Sequence, residues 1–349
     1  MGSPEIAAAY GRARDLCEKG GDASNLFTAL WGLWLSHQNR RCFETAAAIS
    51  NQLLDLNRSG DIGRRLQAHH TAWTTHFYSG QPALCRQHSA EGRRLYDLER
   101  DRSHALRYGG HDPGVCACNM AGFAEWLLGY PDTALASSVE ALAIAERLAH
   151  PFSLNIAHFW AAVLHQFRRE PEASLRRLDA AEAVAVEHRL AWIFNPRVLR
   201  GGALAAEGAV EEGVLALRAG LDEAWDNQLM RPYGLTLLAG ALAKAGDNDS
   251  ALAAIDEGLT CLGQSNERWW EAELHRVKGE LLLRRSEELA QPCFTQSLHV
   301  ARQQQARSLE LRAATSLAGY GTSRAGGPTP AICWRRSTAG SPRGSTPPI

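Results

Sequence analysis

Short Gly-, Asp- and Pro-containing turns recur along the chain at nearly constant distance, and this period limits the possible folds more than any other feature. The turns are Ser79-Gly80-Gln81-Pro82, Gly129-Tyr130-Pro131-Asp132, Glu170-Pro171, Glu207-Gly208 and Gly246-Asp247-Asn248-Asp249. Aligned on Gly80, Gly129, Arg168, Gly208, Gly246 and about Arg285, they are spaced 49, 39, 40, 38 and about 39 residues apart, with one more unit around Arg40. Between turns, apolar residues fall three or four apart, as in Leu135, Val139, Leu142, Ile144 and Leu148. Alternating, strand-type segments are absent. Helix pairs at a fixed spacing predict an all-α solenoid of antiparallel helix pairs with a period of about 39 residues.

The unit resembles the tetratricopeptide repeat, with a small residue seven places before the turn and another five after it. Gly201 and Ala161 hold the first place, and Ala134, Ala173 and Ala251 the second; Ala290 with Phe294 repeats the spacing in the last full unit. Small side chains let the two helices approach closely while larger neighbours fill the groove between them. Trp73 and Cys85 depart from this rule in the Gly80 unit. The period also exceeds the usual 34. The long 49-residue interval contains the charged stretch Tyr96–Pro113, expected to be a surface loop.

Charge excludes one class of partner. The 349 residues carry 37 Lys plus Arg against 38 Asp plus Glu, a net charge of −1, so no global basic surface exists for nucleic acid. That total averages a body of −5 over residues 1–319 and a basic segment of +4 over 320–349. The first twenty residues include Glu5, Arg12, Arg14, Asp15 and Lys19, which is no signal peptide, and Ser3-Pro4-Glu5 reads as a helix start. The longest apolar run, Leu26 to Leu35, is far short of the ~20 residues needed to span a bilayer. A cytoplasmic protein without membrane association is expected. The eight scattered cysteines, including Cys116-Ala-Cys118, read as buried fillers, and the tryptophans, mostly one or two per repeat, as core.

No P-loop, nucleophile elbow, His-Glu-x-x-His, EF-hand or kinase signature occurs, so no catalytic residue, cofactor site or metal site is expected. One constellation stands out. His158 and His165 lie two turns apart on one helix, and the repeat frame puts them on its inner side with His70, Thr74, Asn119, Phe123, Asn155 and Asn195. They are candidates for a groove that binds a peptide or small ligand. The competing reading is that they are partly buried polar residues satisfied by neighbouring helices. A third reading, an enzyme built on His158 and His165, lacks the closer ligand or base spacing it would need.

Several stretches resemble one family: Leu30-Trp31-Gly32-Leu33-Trp34, His111-Asp112-Pro113-Gly114-Val115, Trp126 through Asp132, His150 through Leu154, Glu271 through Leu283, and Glu310 through Ala318. In that order they are similar to the C-terminal tetratricopeptide region of bacterial adenylate/guanylate cyclase–ATPase fusion proteins, across about residues 4–319. The resemblance implies a regulatory or partner-sensing module whose cyclase and P-loop domains lie upstream; none of their catalytic residues has a counterpart here. It also implies that Met1 opens a fragment or half of a split gene. A protein or peptide partner follows, including the cyclase/ATPase portion if encoded nearby. The alternative is the effector-binding array of an ATPase-type transcriptional activator.

After Leu317-Ala318 the helical pattern gives way to a Gly-, Pro-, Ser- and Arg-rich segment, expected to be a disordered basic tail over 320–349. Back-translation of Tyr320-Gly321-Thr322-Ser323-Arg324 one base earlier can read Leu-Trp-His-Glu-Gln, and the same frame continues without a stop into an amphipathic helix. The expectation is a one-nucleotide frameshift that replaced the last helix. A last helix without its partner would leave an uncapped end prone to self-association.

Overall fold

A computed structural model describes residues 4–58, 61–191, 195–223 and 229–324. All its regular structure among these residues is helical. Helix α1 (Pro4–Gly20) precedes the pairs α2 (Ala23–Asn39) with α3 (Phe43–Leu56) and α4 (Ile62–Tyr78) with α5 (Pro82–Leu95). Two one-turn helices follow, α6 (Leu98–Asp101) and α7 (His104–Arg107). Then come α8 (Pro113–Leu127) with α9 (Pro131–Leu148), α10 (Pro151–Phe167) with α11 (Pro171–His188), and α12 (Pro196–Glu207) with α13 (Val210–Asp222). The last pairs are α14 (Arg231–Lys244) with α15 (Asn248–Ser265) and α16 (Glu271–Leu283) with α17 (Glu287–Gln303), and α18 (Arg307–Arg324) ends the array. The antiparallel solenoid read from the period is the observed fold.

The punctuation has local causes. Proline occupies the first turn of α5, α8, α9, α10, α11, α12 and α14, where its missing N–H costs nothing. Asp22, Asp61, Asp112 and Asp247 cap α2, α4, α8 and α15 by accepting from backbone N–H groups in the first turn. Between the first and second helix of most pairs one residue takes positive φ: Arg41, Gly80, Gly129, Arg169, Gly208 and Gly246. Between pairs a second set does so: Ala149, Arg189, Met230, Asn266 and Gln305. The left-handed residue turns the chain within two or three residues and lets its N–H satisfy a terminal carbonyl. The repeat is thus written twice, once at each turn.

Small residues pack most pairs as expected, but Ala173 is only half-buried and its neighbour Ser174 takes the buried place. Ala134, Ala161, Ala251 and Ala290 are at most 1% exposed. In the Gly80 unit Trp73 fills the same space instead, with Gly92 opposite: a Cβ there would lie 2.3 Å from the Trp73 ring. Cys85, Cys116, Cys118 and Cys261 are buried, and the described cysteines are all free thiols. Cys116 and Cys118, two apart on a helix, point into different hydrophobic clusters.

Two expectations change. The stretch 96–113 is not a surface loop: Asp101, Ala105, Tyr108 and Asp112 are at most 4% exposed. The Tyr108 ring packs on Phe27 and Trp31, so the extra residues fill the gap between α2 and α8. The C-terminal helix is not left bare either. Leu309 and Ala313 are buried, and Ser308 Oγ donates to the Trp126 carbonyl on α8 at 2.5 Å. Helix α18 also runs to Arg324, past the expected boundary at 319. The remainder of the expected tail, 325–349, lies outside the described residues.

The solenoid closes on itself. Arg268 N–H donates to the Tyr78 carbonyl at 2.8 Å, and Arg41 Nη2 donates to the Cys261 carbonyl at 3.0 Å, across 190 and 220 residues of chain. Phe77, Phe123, Phe167, Tyr233, Trp269 and Trp270 form a continuous aromatic seam along the inner ends of the first helices. Burial of such rings is the largest apolar term available, ~3–5 kcal/mol for each Phe or Trp.

A basic groove on the inner face

The first helices of the later pairs, α10, α12, α14, α16 and α18, line a groove of about 340 Å³. Its floor is the aromatic seam at Phe167, Tyr233 and Trp270, continued by Leu237, Val277 and Leu281. Gly202, Ala205, Ala206, Gly240 and Ala241 keep the walls apart from the floor by presenting almost no side chain.

A buried ionic network spans one wall. Arg276 Nε donates to Glu273 Oε2 at 2.9 Å, and Arg312 Nη1 to Glu273 Oε1 at 3.0 Å. Arg276 also pairs with Glu280, which accepts from Ser316 Oγ at 2.8 Å. Arg312 Nη2 donates to the Phe167 carbonyl at 2.8 Å, and its guanidinium lies 4.8 Å over the Trp126 ring. Burial pushes the Glu273 carboxyl up, but Arg276 and Arg312 together outweigh it and hold it down at about 2. The network carries two carboxylates and two guanidiniums, so it is neutral within itself.

Three further cations on the groove, Arg169, Lys244 and Arg284, are exposed and are not neutralised in this way. Lys244 Nζ donates to the Ala205 carbonyl at 2.8 Å and Arg284 Nη1 to Asn248 Oδ1 at 3.1 Å. None of the three pairs with a carboxylate among the described residues. The groove therefore offers an aromatic floor under three uncompensated positive charges.

The residues singled out from sequence do not converge on it. Phe123 joins the aromatic seam, where Phe77, Trp160 and Phe167 cover its ring. Thr74 Oγ1 donates to the His70 carbonyl on its own helix at 3.1 Å. Asn155 Nδ2 donates to the Ala181 carbonyl at 2.7 Å, tying α10 to α11. Asn195 caps α12 through Arg197 N–H and reaches Gly220 O at 2.9 Å. His165 pairs with Glu170 across the α10–α11 turn at 2.8 Å. His158 is 9% exposed, and burial, with Arg177 nearby, lowers its imidazole to about 4. Asn119 is 3% exposed, and its Nδ2 has no partner among the described residues. His70 is buried among Trp31, Trp34 and Trp73. Asn155 and Asn195 serve instead as a tie between paired helices and as a helix cap. Sequence reasoning missed Arg169, Lys244, Glu273, Arg276, Glu280 and Arg312; the i, i+3, i+7 spacing of Glu273, Arg276 and Glu280 was the available signal.

No protein-family model matches the chain. "Uncharacterized protein R02095" of Rhizobium meliloti (strain 1021) is 26% identical over 296 residues, which are 81% of this chain and 27% of that protein. The chain thus spans about a quarter of that relative's length. A Rap protein complexed with competence and sporulation factor superposes with TM-score 0.62 at 12% identity, covering 80% of this chain and 77% of that one. NprR in complex with its cognate peptide NprX gives TM-score 0.54 at 12% identity, over 86% and 84% of the two chains. Apo RapI gives 0.53 at 10%, over 80% and 98%. The chain is a tetratricopeptide-like α-solenoid. At these identities the likeness is one of fold. No described helix is long and apolar enough to cross a membrane.

Proposed function

We propose that this solenoid is a non-catalytic regulatory module that binds an acidic peptide segment of a partner protein in the α10–α18 groove. The carrying observation is the charge of that groove: Glu273 and Glu280 are consumed by Arg276 and Arg312, while Arg169, Lys244 and Arg284 remain uncompensated. An extended peptide with carboxylates would gain charge-assisted hydrogen bonds from the rim, and its apolar residues would meet Phe167, Tyr233 and Trp270. Similar folds, the Rap protein and NprR, were solved with a factor and a peptide respectively, which supports a peptide partner. Resemblance to the C-terminal arrays of cyclase–ATPase proteins supports a cytoplasmic signalling role, and the much greater length of the Rhizobium relative fits an array that belongs to longer chains.

Fluorescence titration with paired decapeptides, one carrying Asp and Glu and one Lys and Arg at the same places, tests this on the full chain. The acidic library should bind, weaken with added salt, and lose at least tenfold affinity in Arg169→Glu/Lys244→Glu. Equal binding of both libraries, or an unchanged affinity in that variant, overturns the reading.

A further inference from the structure

His70 on α4, His111 in the turn before α8, and Cys116 on α8 come from segments up to 46 residues apart, yet one donor atom of each lies within 4.8 Å of the other two. His70 and Cys116 are 2% and 5% exposed, and His111 is half-buried beside them. The surroundings fix the ring tautomers. His70 Nδ1 is 3.2 Å from Gln67 Oε1, and Gln67 Nε2 in turn is 3.2 Å from His104 Nδ1. His111 Nδ1 is 3.3 Å from the Gly109 carbonyl. Carbonyl oxygens only accept, so both rings carry their proton on Nδ1 and keep the Nε2 lone pair free. Trp73 Nε1–H donates to Cys116 Sγ at 3.4 Å, which stabilises charge on sulfur. Oriented imidazoles whose outer nitrogen is anchored by an oxygen are the supporting shell a metal ligand needs.

We propose that His70, His111 and Cys116 form a three-coordinate site for copper(I). Thiolate with imidazole selects Cu(I) or Zn(II) among biological ions. The donor set decides between them. No fourth His, Cys, Asp or Glu donor joins the group among the described residues. Zinc held by three protein ligands completes its four with a water in an open position, whereas copper(I) is content with three. Charge points the same way. One thiolate and one monovalent ion make a neutral complex, which is the form least costly to bury beside Trp73 and the Trp31–Trp34 pair.

Metal–ligand bonds of ~2.0–2.3 Å in a trigonal arrangement put donor atoms ~3.5–3.9 Å apart. Side-chain rotation of about 1 Å therefore closes the site. Binding breaks the Cys116 S–H bond, forms Cu–S, and releases one proton to solvent. The imidazoles need release nothing, because each keeps its proton on Nδ1 and binds through Nε2. The ion would pin the 108–112 turn to α4.

Anaerobic titration of the full chain with copper(I) against a chromogenic chelator tests the site directly. One ion per chain should be retained, X-ray absorption should show two nitrogen and one sulfur ligands, and the melting temperature should rise. Cys116→Ser should lose all three effects. His111→Gln, at the half-buried position, should keep its circular dichroism while also losing them, which separates ligation from folding. Failure to retain copper, retention by His111→Gln, or tighter binding of Zn(II) with a fourth ligand each overturns the proposal.

Discussion

Arg312 Nη1 and Glu273 Oε1 are 3.0 Å apart, joining the last described helix to α16 along one wall of the groove. Both side chains are at most 10% exposed, and a second cation, Arg276, shares the carboxylate. Breaking a buried pair by removing one partner costs ~3–5 kcal/mol, because the other charge stays desolvated. Glu273→Gln leaves Arg312 without a carboxylate and Arg276 with Glu280 alone. It should lower stability by about that amount in urea unfolding.

The same carboxylate sets an acid response. Glu273 is held at about 2 in the fold, below its ordinary value of 4.5. The unfolded chain binds the proton more readily, so the contribution of Glu273 is fully present above its unfolded value and is lost as pH falls from about 5 toward 2. Unfolding free energy measured across that window should fall more steeply in the wild type than in Glu273→Gln. Parallel curves would remove Glu273 from the acid limb.

Gly201 and Gly213 face each other so closely that a Cβ on either would stand 2.7 Å from the other's carbonyl oxygen. Gly201→Ala must push α12 and α13 apart, at ~1–3 kcal/mol for an overpacked site. Gly263 on α15 has open space around it, so Gly263→Ala should gain ~0.5–1 kcal/mol from helix propensity alone. Thermal melts of the two variants should move in opposite directions.

Truncation after Glu288 removes α18 and most of α17. It uncovers the Trp126 and Trp270 faces under Arg312 and deletes the Ser308 bond to Trp126. The truncated chain should melt lower and expose apolar surface to a hydrophobic dye. This reverses the expectation from an uncapped end, because closure of the solenoid supplies the missing cover.

The codons for residues 320–349 test the proposed frameshift. The frame one base earlier should encode an amphipathic helix beginning Leu-Trp-His-Glu-Gln, and resequencing that finds no such frame disposes of the idea.

Much of the architecture was legible in the chain because turns act locally. Gly80, Gly129, Gly208 and Gly246 mark left-handed positions that the period alone locates, and after Gly80 and Gly129 a proline fixes where the next helix begins. Arg41, Arg169 and Arg189 adopt the same conformation without announcing it, since an arginine at positive φ leaves no compositional trace. The groove was less legible. Phe123 belongs to the aromatic seam and not to the groove lining, while Asn155 and Asn195 serve as ties and caps.

What the sequence alone determined is the helical period, the pairing of neighbouring helices and the small residues at their crossings, all set by contacts between near neighbours in the chain. What only the tertiary structure decided is the closure of the array: Arg268 on Tyr78, Arg41 on Cys261, and Arg312 on Glu273 and Trp126. Those contacts depend on a curvature summed over many small rotations between successive pairs, which no single turn encodes. That sum brings Glu273 between two arginines and leaves Arg169, Lys244 and Arg284 uncompensated at the rim.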